Sequence, residues 1–126
     1  MTLIESVKIC FHKYAVFKGR ASRSEYWWFS LFYTVGTIVL SLVSASGAIG
    51  SLIYSIFALG ALLPMIGVSV RRLHDIDRSG WYFLAFLIPL VGTILWLVWF
   101  CQRGTQGENR FGPDPLPIHE TLAIDA

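Results

Sequence analysis

The amino-acid sequence predicts an all-α integral membrane protein, and three observations carry that prediction. Only 14% of the 126 residues are charged and 55% are hydrophobic, with a mean hydropathy of +0.60, whereas a soluble domain carries about 25% charged residues. No Asp, Glu, Lys, Arg or His occurs from Tyr26 to Val70, nor from Ser79 to Gln102. Aromatic residues gather at the ends of these runs, with Tyr26, Trp27 and Trp28 opening the first, Trp81 and Tyr82 opening the second, and Trp96, Trp99 and Phe100 closing it. Rings of this kind favour the headgroup level of a bilayer. A hydrocarbon core about 30 Å thick takes roughly 20 apolar residues per helix. The first run therefore holds two spanning helices and the second about one.

Residues 1–25 form an amphipathic helix followed by a basic juxtamembrane segment. Leu3, Val7, Cys10, Phe11 and Tyr14 recur at helical spacing, and Glu5, Lys8, His12 and Lys13 fall mainly on the other side. Thr2-x-x-Glu5 has the pattern of a capping box. The helix is too charged to span, so it is expected to lie in the interface; packing against the end of a helix bundle is the alternative. A signal peptide's unbroken apolar core and small-residue cleavage site are not found here, so the first long helix is expected to serve as the insertion signal.

Residues 26–102 make the transmembrane domain. Ser22-x-x-Glu25 repeats the capping pattern just before the first spanning helix, expected from about Tyr26 to Ser44. Ser44-Ala45-Ser46-Gly47 leaves room for a tight turn, and a second helix, Ala48 to Val70, returns as the other arm of an antiparallel hairpin. Pro64 is expected to kink it, and Gly60, Ala61 and Gly67 suit close helix contact. A polar loop, 71–80, precedes the third apolar segment. Trp81 to Cys101 is just long enough to cross once as a straight helix, but Pro89 and Gly92 interrupt its middle. One Pro-kinked crossing is favoured over a re-entrant hairpin, whose turn would need its backbone groups covered by protein. Residues 103–126, with Gly104, Gly107, Gly112, Pro113, Pro115 and Pro117, read as an irregular tail.

Charge gives an orientation. Lys8, Lys13, Lys18, Arg20 and Arg23 precede the first helix, none lies in the first turn, and Arg71, Arg72 and Arg78 lie in the polar loop. Basic residues near helix ends prefer the cytoplasm, which places the N-terminus and the 71–80 loop inside a bacterial-type inner membrane. Three crossings leave Arg103 and Arg110 outside, whereas a re-entrant segment puts all ten basic residues inside.

The densest polar cluster is Arg71-Arg72-x-His74-Asp75-x-Asp77-Arg78. If the second helix runs one more turn, Arg71 and Asp75 become an i, i+4 pair. Two guanidiniums can grip an anion bidentately; the plainer reading is that they mark a cytoplasmic helix end. Arg20 and Arg23, with Ser22, Ser24 and a helix start, divide in the same way between a phosphate site and a capped, anchored helix. The spacing of a P-loop is absent. His74 and Asp75 are adjacent in sequence with no nucleophile in view, so no catalytic residues are assigned. His12, His74 and His119 lie in separate segments, so no metal site is assigned either, and no cofactor is expected. Cys10 and Cys101 lack metal-ligand spacing and read as free thiols. The apolar interior holds no acid or base for ion coupling, which argues against a transporter acting alone.

Four blocks resemble a known family: Phe17-x-Gly19-Arg20-Ala21-Ser22-Arg23-Ser24-Glu25-Tyr26-Trp27, Arg71-Arg72-Leu73-His74-Asp75, Ser79-Gly80-Trp81, and Gly107-x-Asn109-Arg110-Phe111-Gly112-Pro113-Asp114-Pro115. Their order over roughly residues 10 to 115 is similar to that of the YhaH-type family of small bacterial inner-membrane proteins, a domain of unknown function (DUF805). A glycine the pattern expects near Asp77 is replaced by Asp77 or Arg78. The resemblance implies an inner-membrane protein and no catalytic residues. It stresses the polar segments, including Asn109, Arg110 and Asp114 of the tail.

The expected function is a non-enzymatic membrane module. Arg20, Arg23, Arg71, Arg72, His74, Asp75 and Arg78 are its candidate site, holding anionic lipid headgroups or an acidic partner at the cytoplasmic face. Membrane lipids are the expected partners, with self-association or another membrane protein as further partners and no nucleic acid. A subunit of an oligomeric pore or transporter, and an enzyme acting on a lipid phosphate, are the alternatives.

Overall fold

A computed structural model describes residues 2–115; the end of the tail, including Pro117 and His119, lies outside the described residues. The elements are α1 (Leu3–His12), α2 (Arg23–Ser44), α3 (Ala48–Gly60), α4 (Leu62–Asp75), a 3₁₀ helix (Gly80–Leu87) and α5 (Val91–Cys101). Among the described residues there is no strand beyond an isolated bridge between Asn109 and Gly112. The all-helical expectation holds. The chain divides into two compact units, one of residues 2–16 with Ser24–Val68, the other of Phe17–Arg23 with residues 69–115.

In the first unit, the Thr2 side chain accepts from the Glu5 amide at 3.2 Å, so the N-terminal cap forms. The face of α1 that packs differs from the apolar spacing. Ser6 and Cys10 are fully buried, Ser6 Oγ donates to the Glu25 carbonyl at 2.6 Å, and the Phe11 ring meets Phe29 edge-on at 5.7 Å. Leu3 and Ile4 stay exposed. Thus α1 seats a small polar stripe on α2 and leaves apolar side chains outward.

Helices α2 and α3 form the antiparallel hairpin. Tyr33 OH donates to the Ala58 carbonyl at 3.0 Å, and Phe32 meets Phe57 at 5.5 Å. At the turn, Gly47 adopts φ +135°, open to glycine alone. Close approach depends on two further glycines. A Cβ on Gly36 would stand 2.4 Å from the Phe57 ring, and one on Gly50 would stand 2.2 Å from the Val43 carbonyl oxygen. Outward, Leu42 and Ile49 are 73% and 77% exposed, so apolar surface continues around the hairpin.

The second long helix is interrupted at Ala61, earlier than a kink at Pro64 would suggest, and it ends at Asp75 rather than Val70. Proline has no N–H for the carbonyl four residues back, and its ring crowds that carbonyl. For Pro64 that residue is Gly60, where α3 stops. Helix resumes because the Met65 amide reaches the Ala61 carbonyl at 3.1 Å. Arg23–Ser44, 22 residues, and Ala48–Asp75, 28 residues, are long and apolar enough to cross a membrane by length and composition.

Candidate functional site

Every polar block singled out in the sequence, apart from residues 24–27, contributes to the second unit, whose centre is the C-terminal end of α4. The end itself is a Schellman motif. The Arg78 amide donates to the Leu73 carbonyl at 2.9 Å and the Asp77 amide to the His74 carbonyl at 3.0 Å, with Asp77 left-handed at φ +59°. Glycine is the usual residue there. Asp77 thus stands where glycine would fit best, and aspartate tolerates the left-handed conformation better than most side chains.

On this turn Asp75 is clamped by two arginines. Arg72 Nη1 lies 2.8 Å from Asp75 Oδ2 and Arg20 Nη2 lies 2.9 Å from Oδ1, with all three side chains at most 3% exposed. The pair anticipated one turn back on the helix is thus Arg72–Asp75, i to i+3, and not Arg71–Asp75. Arg71 is also fully buried, and its carbonyl accepts from the Ala21 amide at 2.9 Å, which holds the Phe17–Arg23 segment against the helix. A buried charge must be paired and its remaining donors satisfied. Arg20 does so by donating to the carbonyls of Thr105, Gly107 and Gly112. Arg72 donates to the carbonyls of Trp99, Phe100 and Gln102, and Arg23 Nη1 to that of Cys101 at 3.1 Å. The last carbonyls of a helix lack partners within it; here two guanidiniums supply them and cap α5.

The tail closes over this core. The Thr105 amide donates to the Asp75 carbonyl at 2.7 Å. Asn109 Nδ2 donates to the His74 carbonyl at 2.9 Å, and its Oδ1 accepts from the Phe111 amide, also at 2.9 Å. The Phe111 ring lies flat on His74, centroids 4.0 Å apart, while His74 Nδ1 sits 2.9 Å from the Gly19 carbonyl. Asp114 pairs with Arg103 at 3.1 Å and accepts from the Gly107 amide. Arg110 is the outward member, pairing with Asp77 at 3.2 Å with both side chains about half exposed. Residues 103–115 are irregular in backbone yet tied down throughout.

The third apolar segment does not run straight from Trp81 to Cys101. The 3₁₀ helix, capped by Ser79, ends at Leu87, and α5 returns antiparallel beside it. Tyr82 meets Trp99 edge-on at 5.7 Å and Phe86 meets Phe100 at 5.4 Å. In place of a straight helix the segment is a helical hairpin, and the cause is local. Pro89 disfavours helix at the residue before it, so Ile88 is extended. Leu90 then takes φ +66° to reverse the chain. Gly92 makes the return possible, since a Cβ there would stand 2.5 Å from the Phe86 carbonyl oxygen. At the open end, the Arg78 guanidinium lies over Trp99 at 4.7 Å and Tyr82 at 5.6 Å, and its Nε is buried with no hydrogen-bond acceptor among the described residues.

A family model described as "Protein of unknown function (DUF805)" matches residues 14–113. The chain belongs to the DUF805 family. It is 46% identical over 108 residues to the inner membrane protein YhaH of Escherichia coli K12, covering 81% of this chain and 88% of that one. It is 42% identical over 103 residues to the inner membrane protein YhaI of the same strain, covering 81% and 87%. A third relative there, the uncharacterized protein YiiR, is 29% identical over 128 residues, with 81% and 87% covered. No solved structure matches. This DUF805 member is a membrane protein, and its own polar blocks build a buried arginine–aspartate core. Sequence reasoning overlooked Gly104 and Thr105 in that core. Their signal was faint, a Gly-Thr pair just past an apolar run.

Proposed function

We propose that this DUF805 protein is a non-enzymatic inner-membrane module, N-terminus cytoplasmic, that holds anionic lipid headgroups with the basic residues at the rim of its second unit. Arg78 carries the reading. Its guanidinium rests on two aromatic faces and its side chain is only half-buried, which leaves its outer donors within reach of a phosphate oxygen. Arg110 and Lys18 add exposed positive charge in the same unit, and clusters of such residues attract anionic lipid. Arg20, Arg72 and Asp75 stand apart from this headgroup site, because they pair with one another in the interior. An enzyme built on Arg71, Arg72, His74 and Asp75 draws no support from a cluster this deeply buried.

Native mass spectrometry from mild detergent tests this. Wild type is expected to retain phosphatidylglycerol in preference to phosphatidylethanolamine, and Arg78→Ala to lose that preference with its thermal stability nearly intact. Equal retention of both lipids by both proteins would refute the reading.

A further inference from the structure

From the 80–101 hairpin we infer a one-leaflet insertion element: its partner is the acyl-chain layer of the single leaflet on the side of Arg78, and the chain returns to that same side. This rests on the proposed function for the presence of a membrane and for the cytoplasmic N-terminus. The dimensions agree. The 3₁₀ arm has 8 residues and α5 has 11, which at about 2.0 and 1.5 Å per residue give two arms of about 16 Å each. Half of a hydrocarbon core about 30 Å thick is matched by both. The surface is apolar at the tip, where Leu87 and Leu90 are 75% and 77% exposed, and no charged residue occurs from Ser79 to Gln102.

Hydrocarbon tolerates a chain reversal only where backbone donors are satisfied within the protein. At this tip four amides find backbone partners, Ile88 reaching the Ala85 carbonyl at 3.2 Å, Val91 that of Pro89 at 2.7 Å, Gly92 that of Ile88 at 2.7 Å and Ile94 that of Leu90 at 3.1 Å. Pro89 has no N–H to satisfy. The open end has the opposite character, with the Arg23, Arg72 and Arg78 guanidiniums against the last carbonyls and rings of α5. A soluble partner would need neither the matched arm lengths nor a proline in place of a donor at the tip.

Single cysteines report the sidedness. Lys18→Cys, Glu108→Cys and Leu90→Cys, each in a Cys10→Ala/Cys101→Ser background, are treated in intact cells with a membrane-impermeant maleimide, then again after permeabilisation. All three side chains are exposed on the protein, so the substitutions leave its packing intact. The expected result is protection of positions 18 and 108 together in intact cells, labelling of both after permeabilisation, and no labelling of position 90 in either case. Labelling of position 108 but not 18 in intact cells would mean a full crossing and overturn the inference. Labelling of position 90 would place the tip in water and overturn it too. The lipid-retention experiment is independent, since it reads headgroup preference and not sidedness, so either proposal can fail alone.

Discussion

Gly104 stands so close to Asp75 that a Cβ built on it would lie 2.1 Å from Asp75 Oδ2. The carboxylate held by Arg20 and Arg72 thus has a bare backbone as its fourth wall. Gly104→Ala should force Asp75 out of its clamp and destabilise the protein by about 1–3 kcal/mol, the usual range for overpacking. Gly60→Ala is the matched control, because nothing lies within 4 Å of its added Cβ and alanine is the better helix former. Thermal unfolding in detergent should show a lowered midpoint for the first and an unchanged or raised one for the second; equal midpoints would remove the wall from the account.

The arginines divide into two kinds, and stability separates them. Asp75→Asn leaves the Arg20 and Arg72 charges buried without a counter-charge, and breaking a buried pair costs about 3–5 kcal/mol. Arg72→Ala should be similarly damaging, since it removes one of the two guanidiniums that hold Asp75 and one of the two that cap α5. Arg78→Ala should cost little, because among the described residues the Arg78 guanidinium contributes only ring contacts. A stability ranking that put Arg78→Ala beside Arg72→Ala would contradict the assignment of one to the rim and the other to the core.

Asp77 pays a conformational cost for its left-handed backbone, φ +59°. Asp77→Gly removes that cost, on the order of 1 kcal/mol, and gives up an exposed ion pair with Arg110 worth about 0–1 kcal/mol. The expected outcome is a protein as stable as wild type or slightly more so in equilibrium unfolding, with Asp77→Val clearly worse because branching makes the left-handed region costlier.

In the first unit, Gly36 and Phe57 are coupled. Gly36→Ala should push on the Phe57 ring, 2.4 Å from the new Cβ, and lower the unfolding midpoint. Phe57→Leu removes the distal ring atoms, so the double variant should recover part of the loss. A double-mutant cycle that is purely additive would show that the two helices accommodate the methyl by other means.

How far the sequence could be read follows from the range of each interaction. The α2–α3 hairpin was legible because it depends on local signals, an unbroken apolar run and a small-residue turn at 44–47. The Thr2 cap was legible for the same reason. The break at Ala61 was nearly so; Pro64 pointed to it, but the carbonyl it disturbs lies four residues earlier. The third segment divided evenly by length, and the decision fell to Gly92, whose bare Cα against the Phe86 carbonyl has no signature beyond being a glycine. The arginine–aspartate core was the least legible. Arg20 and Asp75 are 55 residues apart and Arg20 and Gly112 are 92 apart, so nothing local distinguishes an arginine that will be buried from one that meets lipid. The four family blocks were the one cue that distant polar segments belong together.

The sequence distances within that core also set an order of events during synthesis. Arg20 emerges from the ribosome early, Arg72 and Asp75 near the middle, and the carbonyls of Thr105, Gly107 and Gly112 that receive Arg20 come last. Chains are made from the N-terminus at a few residues per second, so the first two helices can pair while the arginine that will lock the second unit still lacks its acceptors. Until those carbonyls emerge, that guanidinium has Asp75 as its one acceptor among these groups and must keep its other donors in water or among headgroups. A chain stopped before Thr105 would contain every apolar segment and still have no means of closing its core, and such products should be conspicuous substrates for membrane quality-control proteases.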